Sequence, residues 1–279
     1  MFNNFKKSIV FILILFQIHI LLGTPDFNFN ILRRVRNSSF PLLTAEELVA
    51  AVEEWLGPTW IPEPNPWLLT GVIKTLRGHA LEENGTFKIY KKGTEGSIFY
   101  KHILIKLLDD YFVSSGQYTS PHIAPPLAPF ETENEKGYYS IYAKGSECFE
   151  WGEGGISKNE WNTFSYLMDL AGFNMSYDLV DDDNAAHNVI VAGPTSWTRI
   201  DLDSRSCPYS VFGKTAQFLE EHAKALQTVL GDDKYRLLEL AYKIFDSRSD
   251  TATESEMTEF EVLFARYQHE ILRNYFPGI

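Results

Sequence analysis

Along the first half of the chain the spacing of apolar and polar positions changes period several times, and each change marks an element. From Thr44, "TAEELVAAVEEWL" sets Leu48, Val49, Val52 and Leu56 on one helical stripe, with Thr44 and Glu47 at the two positions of a capping box. "GPTWIPEPNPW" follows and holds Pro58, Pro62, Pro64 and Pro66. Proline fixes φ and lacks an N–H, so this stretch is extended or turned, and the main fold is expected after it. Beyond Gly71 the text becomes β-branched and aromatic in "VIKTLRGHAL" and "TFKIYKKG", and Asn84-Gly85 between the two runs predicts a hairpin. "SIFYKHILIKLLDDYF" from Ser97 then suits an amphipathic helix built on Ile98, Phe99, Ile103, Ile105, Leu107 and Leu108. "APPLAPFETENEKGYYSIYAKG" predicts two strands around a polar turn.

The second half is mostly helical in period. "KNEWNTFSYLMDLAG" from Lys158 predicts a helix stopped at Gly172, and "YSVFGKTAQFLEEHAKALQTVL", "KYRLLELAYKIF" and "SEMTEFEVLFARYQHEILRNYF" predict three more. Set among them is a pair of short apolar runs, "VIV" after Asn188 and "RIDLD" ending near Asp201. Hairpin, helix, two strands and then a helix-rich half describe an α+β chain, with a small sheet-bearing lobe followed by an α-rich one. No internal repeat or low-complexity tract interrupts this order.

Composition narrows the partners. With 279 residues, 44% of them apolar, the chain can bury a full core. A net charge of −12 leaves no broad basic face for a nucleic-acid backbone, so nucleic acid is not an expected partner. The N-terminus carries Lys6 and Lys7, an apolar run from Ile9 to Leu22, then Gly23-Thr24-Pro25. That run is short for a bilayer span of about 20 residues, and residues 1–23 are expected to form a signal peptide cleaved near Gly23 or, as the rival, a retained signal anchor. Only in the second case is a membrane a partner. Sequons at Asn37, Asn84 and Asn174 fit glycosylation in a secretory lumen or outside the cell. Cys148 and Cys207 are the only cysteines, enough for one bridge or two free thiols.

The candidate chemistry sits in "DDDNAAHNVIVAGPTSWTRIDLDSRS", where Asp183 is followed by four residues and then Asn188, and Asp201 lies thirteen residues beyond Asn188. A carboxylate beside an acceptor hydroxyl orients it and takes its proton, while a carboxamide and a second carboxylate suit a hard divalent cation. This arrangement, with a strand after Asn188 and a second ending at Asp201, resembles the catalytic segment of the protein-kinase-like fold. Upstream, "SPHIAPPLAPFETENEKGYYSIYAKGSE" is similar to the family's passage from the small lobe's helix through two strands into the hinge. The resemblance spans roughly residues 70 to 270 and points to divergent kinases of the secretory lumen or to small-molecule phosphotransferases.

What the resemblance implies is specific. Asp183 would be the catalytic base, Asn188 and Asp201 the metal ligands, and ATP with Mg²⁺ or Mn²⁺ the cofactors. Backbone groups from Ala143 to Ser146, Ala143 and Gly145 above all, would meet the adenine edge, and Lys91, or in competition Lys88, would meet the phosphates. The implied lobes are residues 70–145 and 146–279, behind an extension at 24–69 with one helix and the proline-rich segment. The chain departs from the family in several places. No G-x-G-x-x-G loop precedes the lysine strand, and the helix from Ser97 has no glutamate, leaving Asp109, Asp110 or Glu95 for the usual lysine pair. "DFG" is replaced by "DLD", and no "APE" follows. Two functions therefore stand as expectations: a phosphotransferase acting on a protein or glycan hydroxyl, and a secreted pseudokinase serving as a binding or scaffold module. Glu150 and Glu153 lack a partner carboxylate at a strand end, which argues against a glycosidase. His187 has no second histidine or cysteine at zinc-ligand spacing.

Overall fold

In the computed structural model, the described residues are 43, 47, 60–62, 73–80, 85–93, 97–131, 136–141, 146–147, 156–173, 175, 189–199, 202, 212–245 and 252–275. They form an α+β structure. Five strands, β1 (Trp60–Pro62), β2 (Ile73–Ala80), β3 (Gly85–Gly93), β4 (Pro126–Glu131) and β5 (Lys136–Ile141), make an antiparallel sheet in the order β1-β2-β3-β5-β4. Helix α1 (Ser97–Ser114) is inserted between β3 and β4. A second antiparallel sheet, β6-β7-β8, joins Ser146–Glu147, Val189–Gly193 and Ser196–Arg199. The remaining helices are α2 (Lys158–Leu170), α3 (Phe212–Leu230), α4 (Asp232–Phe245) and α5 (Glu254–Tyr275).

Local chemistry accounts for the boundaries. The proline-rich stretch contributes β1, whose Pro62 pairs with Gly78 at the sheet edge, the position where a strand tolerates a missing N–H. Ser157 caps α2 by accepting from the Glu160 N–H. At the far end of α2, Gly172 at φ 93° turns the chain so that Phe173 N–H reaches the Met168 carbonyl and Gly172 N–H the Asp169 carbonyl, a Schellman closure. Gly116 repeats this after α1, with Gln117 N–H on the Phe112 carbonyl. Helix α5 opens with a reciprocal capping box between Thr253 and Glu256.

Helix α1 differs from the amphipathic helix expected of it. Ile103, Leu104, Ile105, Leu107 and Leu108 are fully buried, and Lys101, His102, Lys106 and Asp109 are buried beside them. From Phe99 to Asp109 the helix has no solvent face, because it packs on β4, on α3 and most extensively on α4. Rings from α5 reach it as well, Phe264 on Phe99 at 5.1 Å and Phe260 on Tyr100 at 5.1 Å. Each fully buried aliphatic contributes ~1.5–3 kcal/mol, so α1 is the centre of the core. Its buried polar groups are paired. The His102 Nε2–H donates to the Ala124 carbonyl at 2.6 Å, and Nδ1 hydrogen-bonds with the Tyr138 hydroxyl at 2.8 Å.

Candidate functional site

Of the residues that the sequence singles out, Lys88 and Lys91 lie on β3, where they pair with Arg77 and with Lys74 and Tyr139 respectively. Alternation along a strand gives positions 88, 90 and 92 one parity and 89 and 91 the other. Position 92 pairs with Tyr138, whose ring sits on the α1 side of the sheet, 5.6 Å from Phe99. Asp183, Asn188, Asp201, Ala143 and Gly145 lie outside the described residues, as do Asn37, Asn84, Asn174, Cys148 and Cys207. What is described is the hairpin that carries two of them. Asn188 immediately precedes β7 and Asp201 follows β8 by two residues, while Val189 pairs with Arg199 at the hairpin's open end.

That hairpin is fastened to the connection between α1 and β4. The Arg199 N–H donates to the His122 carbonyl at 2.7 Å, and Ile123 and Arg199 form a parallel bridge. The His122 ring lies flat on Trp197 at 3.6 Å with 5° between planes, and its Nδ1–H donates to the Trp197 carbonyl at 3.0 Å. Since a carbonyl can only accept, this bond puts the neutral ring's proton on Nδ1. Nε2 then faces Glu160 Oε1 at 3.5 Å, within ion-pair reach but not aligned as a hydrogen bond. Burial holds His122 below the ordinary imidazole value, outweighing the Trp197 carbonyl, Asp109 and Glu160, which act the other way. The turn of the hairpin is tied too: Ser157 N–H donates to the Pro194 carbonyl at 2.7 Å, and the Ser120 hydroxyl donates to the Thr195 carbonyl.

Beneath His122 stands Asp109, fully buried. Its carboxylate accepts from His122 N–H at 3.1 and 3.0 Å, from Ile123 N–H at 3.0 Å, from the Tyr118 hydroxyl at 2.7 Å and from Lys106 at 3.4 Å. Asp110, one residue on, takes Lys106 at 2.6 Å and the Tyr267 hydroxyl at 3.2 Å. Burial pulls the Lys106 ammonium down, but Asp110 and Asp109 outweigh it and hold the group above its usual value. Both aspartates are thus engaged in fixing α1 to the following loop and to α5. Of the three acids that the sequence offers as partners for a β3 lysine, two have other work, and Glu95 lies outside the described residues.

Sequence reasoning passed over His122. Its partners are non-local, with Asp109 13 residues away and Trp197 75 residues away. The only local signal was a histidine within the proline-bracketed "SPHIAPP" directly after a helix ending in acids. Among the described residues no three histidine, cysteine or acidic side chains meet at metal-binding distance. Two adjoining hollows of about 490 and 360 Å³ share Leu230, Lys234, Tyr267 and Glu270, and no residue of the hairpin lines either. No known protein-family model matches the chain, and no curated protein matches it either.

Proposed function

We propose that the chain is a kinase-like phosphotransferase of the secretory pathway, with its site near the open end of the β7–β8 hairpin. The observation that carries this reading is the β7–β8 hairpin, which pairs Val189, next in sequence to Asn188, with Arg199, two residues before Asp201. Supporting it is the five-stranded antiparallel sheet with a helix inserted before its fourth strand, the order in which a small lobe of this kind is built.

The donor set fits the implied cation: a carboxamide oxygen and a carboxylate are hard ligands suited to Mg²⁺ or Mn²⁺. Asn188 and Asp201 would hold it, and the bound metal nucleotide would supply the phosphoryl group. Asp183 orients the acceptor hydroxyl of a protein or glycan and takes up its proton. Backbone groups of Ala143 and Gly145 receive the adenine edge. For the phosphates, Lys91 or, in competition, Lys88 of β3 would supply the ammonium group. The secretory assignment rests on the signal-like N-terminus and the sequons Asn37, Asn84 and Asn174.

The test is the thermal midpoint of the purified chain with ATP, with and without Mg²⁺ or Mn²⁺. A metal-dependent rise in wild type that is lost in Asp201→Ala is expected. No rise, or an equal rise in the variant, would sink the reading. A pseudokinase is the second reading, favoured by the engagement of Asp109 and Asp110 away from β3. It predicts nucleotide binding without phosphoryl transfer, or neither.

A further inference from the structure

The geometry points to the two adjoining hollows among α1, α3, α4 and α5 as one binding cleft for a neutral oligosaccharide, with neighbouring subsites for successive sugar units. No residue of the β7–β8 hairpin lines either hollow, so this site stands apart from the phosphotransferase reading.

Size and continuity come first. At about 490 and 360 Å³, each hollow falls in the range of roughly 300–1,000 Å³ typical of small-molecule sites. Leu230, Lys234, Tyr267 and Glu270 form the border they share. Across it Lys234 of α4 reaches Glu270 of α5 at 2.5 Å, with its Nζ 5.6 Å from the centre of the Tyr267 ring. The two side chains keep 27% and 47% of their surface exposed, so the divider lies at the surface and a chain of sugars can run over it.

Charge selects the class of guest. Every cation lining the cleft is already matched: Lys106 by Asp110 at 2.6 Å, Lys234 by Glu270, and Arg266 by Asp233 at 2.7 Å. Asp232 adds a fourth carboxylate, which accepts from the Gln227 amide at 2.8 Å. An anionic guest meets four carboxylates and no unmatched cation. A cationic guest finds only Asp232 without a cation and competes with three resident ones for the rest. A hydroxyl disturbs none of these pairs, because it donates to a carboxylate oxygen and accepts from a neighbouring N–H at the same time.

The smaller hollow also holds polar groups with capacity to spare. Lys106 is buried and spends two of its three N–H groups, on Asp110 and on Asp109. Ser114, Asn274 and Tyr275 bring a hydroxyl, a carboxamide and a phenol that have no hydrogen-bond partner among the described residues. Pro121, Pro125 and Ile271 complete the wall with apolar surface, which suits the C–H face of a sugar ring.

The experiment is saturation-transfer nuclear magnetic resonance on the purified full chain without nucleotide. Lactose, maltotriose and triacetylchitotriose are the neutral probes, and spermidine and citrate the charged ones. At least one neutral probe is expected to bind with a Kd between about 10 μM and about 10 mM. Its affinity should exceed that of its own monosaccharide by about tenfold or more, since the second subsite acts on a guest already held. Asn274→Ala and Tyr275→Ala change exposed positions near the end of α5, and each should weaken that binding by about two- to tenfold. Amide shifts on adding the sugar are expected at residues lining the two hollows. No transfer from any of the three sugars at about 10 mM, or tighter binding of spermidine or citrate, would overturn the cleft. So would sugar binding that both variants leave unchanged, or shifts confined to another surface, a reading of wild type that holds even if a variant does not fold. Sugar binding by a chain that shows no ATP-dependent midpoint keeps the cleft and removes the phosphotransferase reading.

Discussion

Asp109 shows what a single side chain holds together. Its four partners come from its own helix, from the loop after it and from the His122 peptide, so truncation strands two buried N–H groups and a hydroxyl at once. Asp109→Ala is expected to cost about 3–5 kcal/mol, read as a lower midpoint in urea unfolding. A loss below about 1 kcal/mol would show that water replaces the carboxylate. Glu256 makes the opposite case at the surface. Hydrogen bonding from Lys243, and then from the Thr253 N–H, brings its carboxyl down to about 2. A depressed carboxylate stabilises above its unfolded value and loses that contribution as pH falls towards about 2. Lys243→Ala should move the Glu256 titration upward, measured by carboxyl chemical shifts, and salt should weaken the effect in wild type. The sequence offers Asp183, Asn188 and Asp201 as candidates by their spacing along one short stretch. It did not disclose His122 or Asp109, whose meaning depends on which distant peptide each one faces.

Periodicity located the elements well where one face meets water. Helix α2, with Trp161, Phe164 and Met168 buried and Tyr166 and Leu170 exposed, ends at the glycine its sequence advertises. The apolar spacing of helix α1 predicts an amphipathic element, yet Lys101, Lys106 and Asp109 between those positions are buried as well, Lys106 paired with Asp109. The two-residue strand β6 has no sequence signal at all, since it exists only by pairing with Val191 and Ile190. The joint between α3 and α4 is a cleaner test of local coding. Gly231 sits at φ 80°, and a Cβ built there meets nothing within 4 Å. Gly231→Ala should therefore cost only the backbone term, about 1 kcal/mol, and Gly231→Asn less. If position 88 carries the phosphate contact, Lys88→Ala abolishes the ATP-dependent thermal shift and Lys91→Ala preserves it. The reverse result would place the contact at position 91.

At the scale of the molecule, the helical half closes over α1 rather than standing apart from it. Gln268 of α5 illustrates the reach: fully buried, it accepts from Leu43 N–H at 2.9 Å and donates to the carbonyls of Leu43 at 3.0 Å and Leu127 at 2.8 Å. Gln268→Ala should release the segment around Leu43, seen as faster amide hydrogen exchange there while α1 stays protected. Protection unchanged at Leu43 would mean that other contacts hold it. No described helix is long and apolar enough to cross a membrane. The enclosure of α1 also bears on how the chain is made. Residues 97–114 leave the ribosome long before 212–275, the helices that cover them. At roughly 5–20 residues per second, an apolar helix waits for seconds without its roof. Chains ending near residue 210 are left in that state permanently, so they should require a holding chaperone to stay in solution.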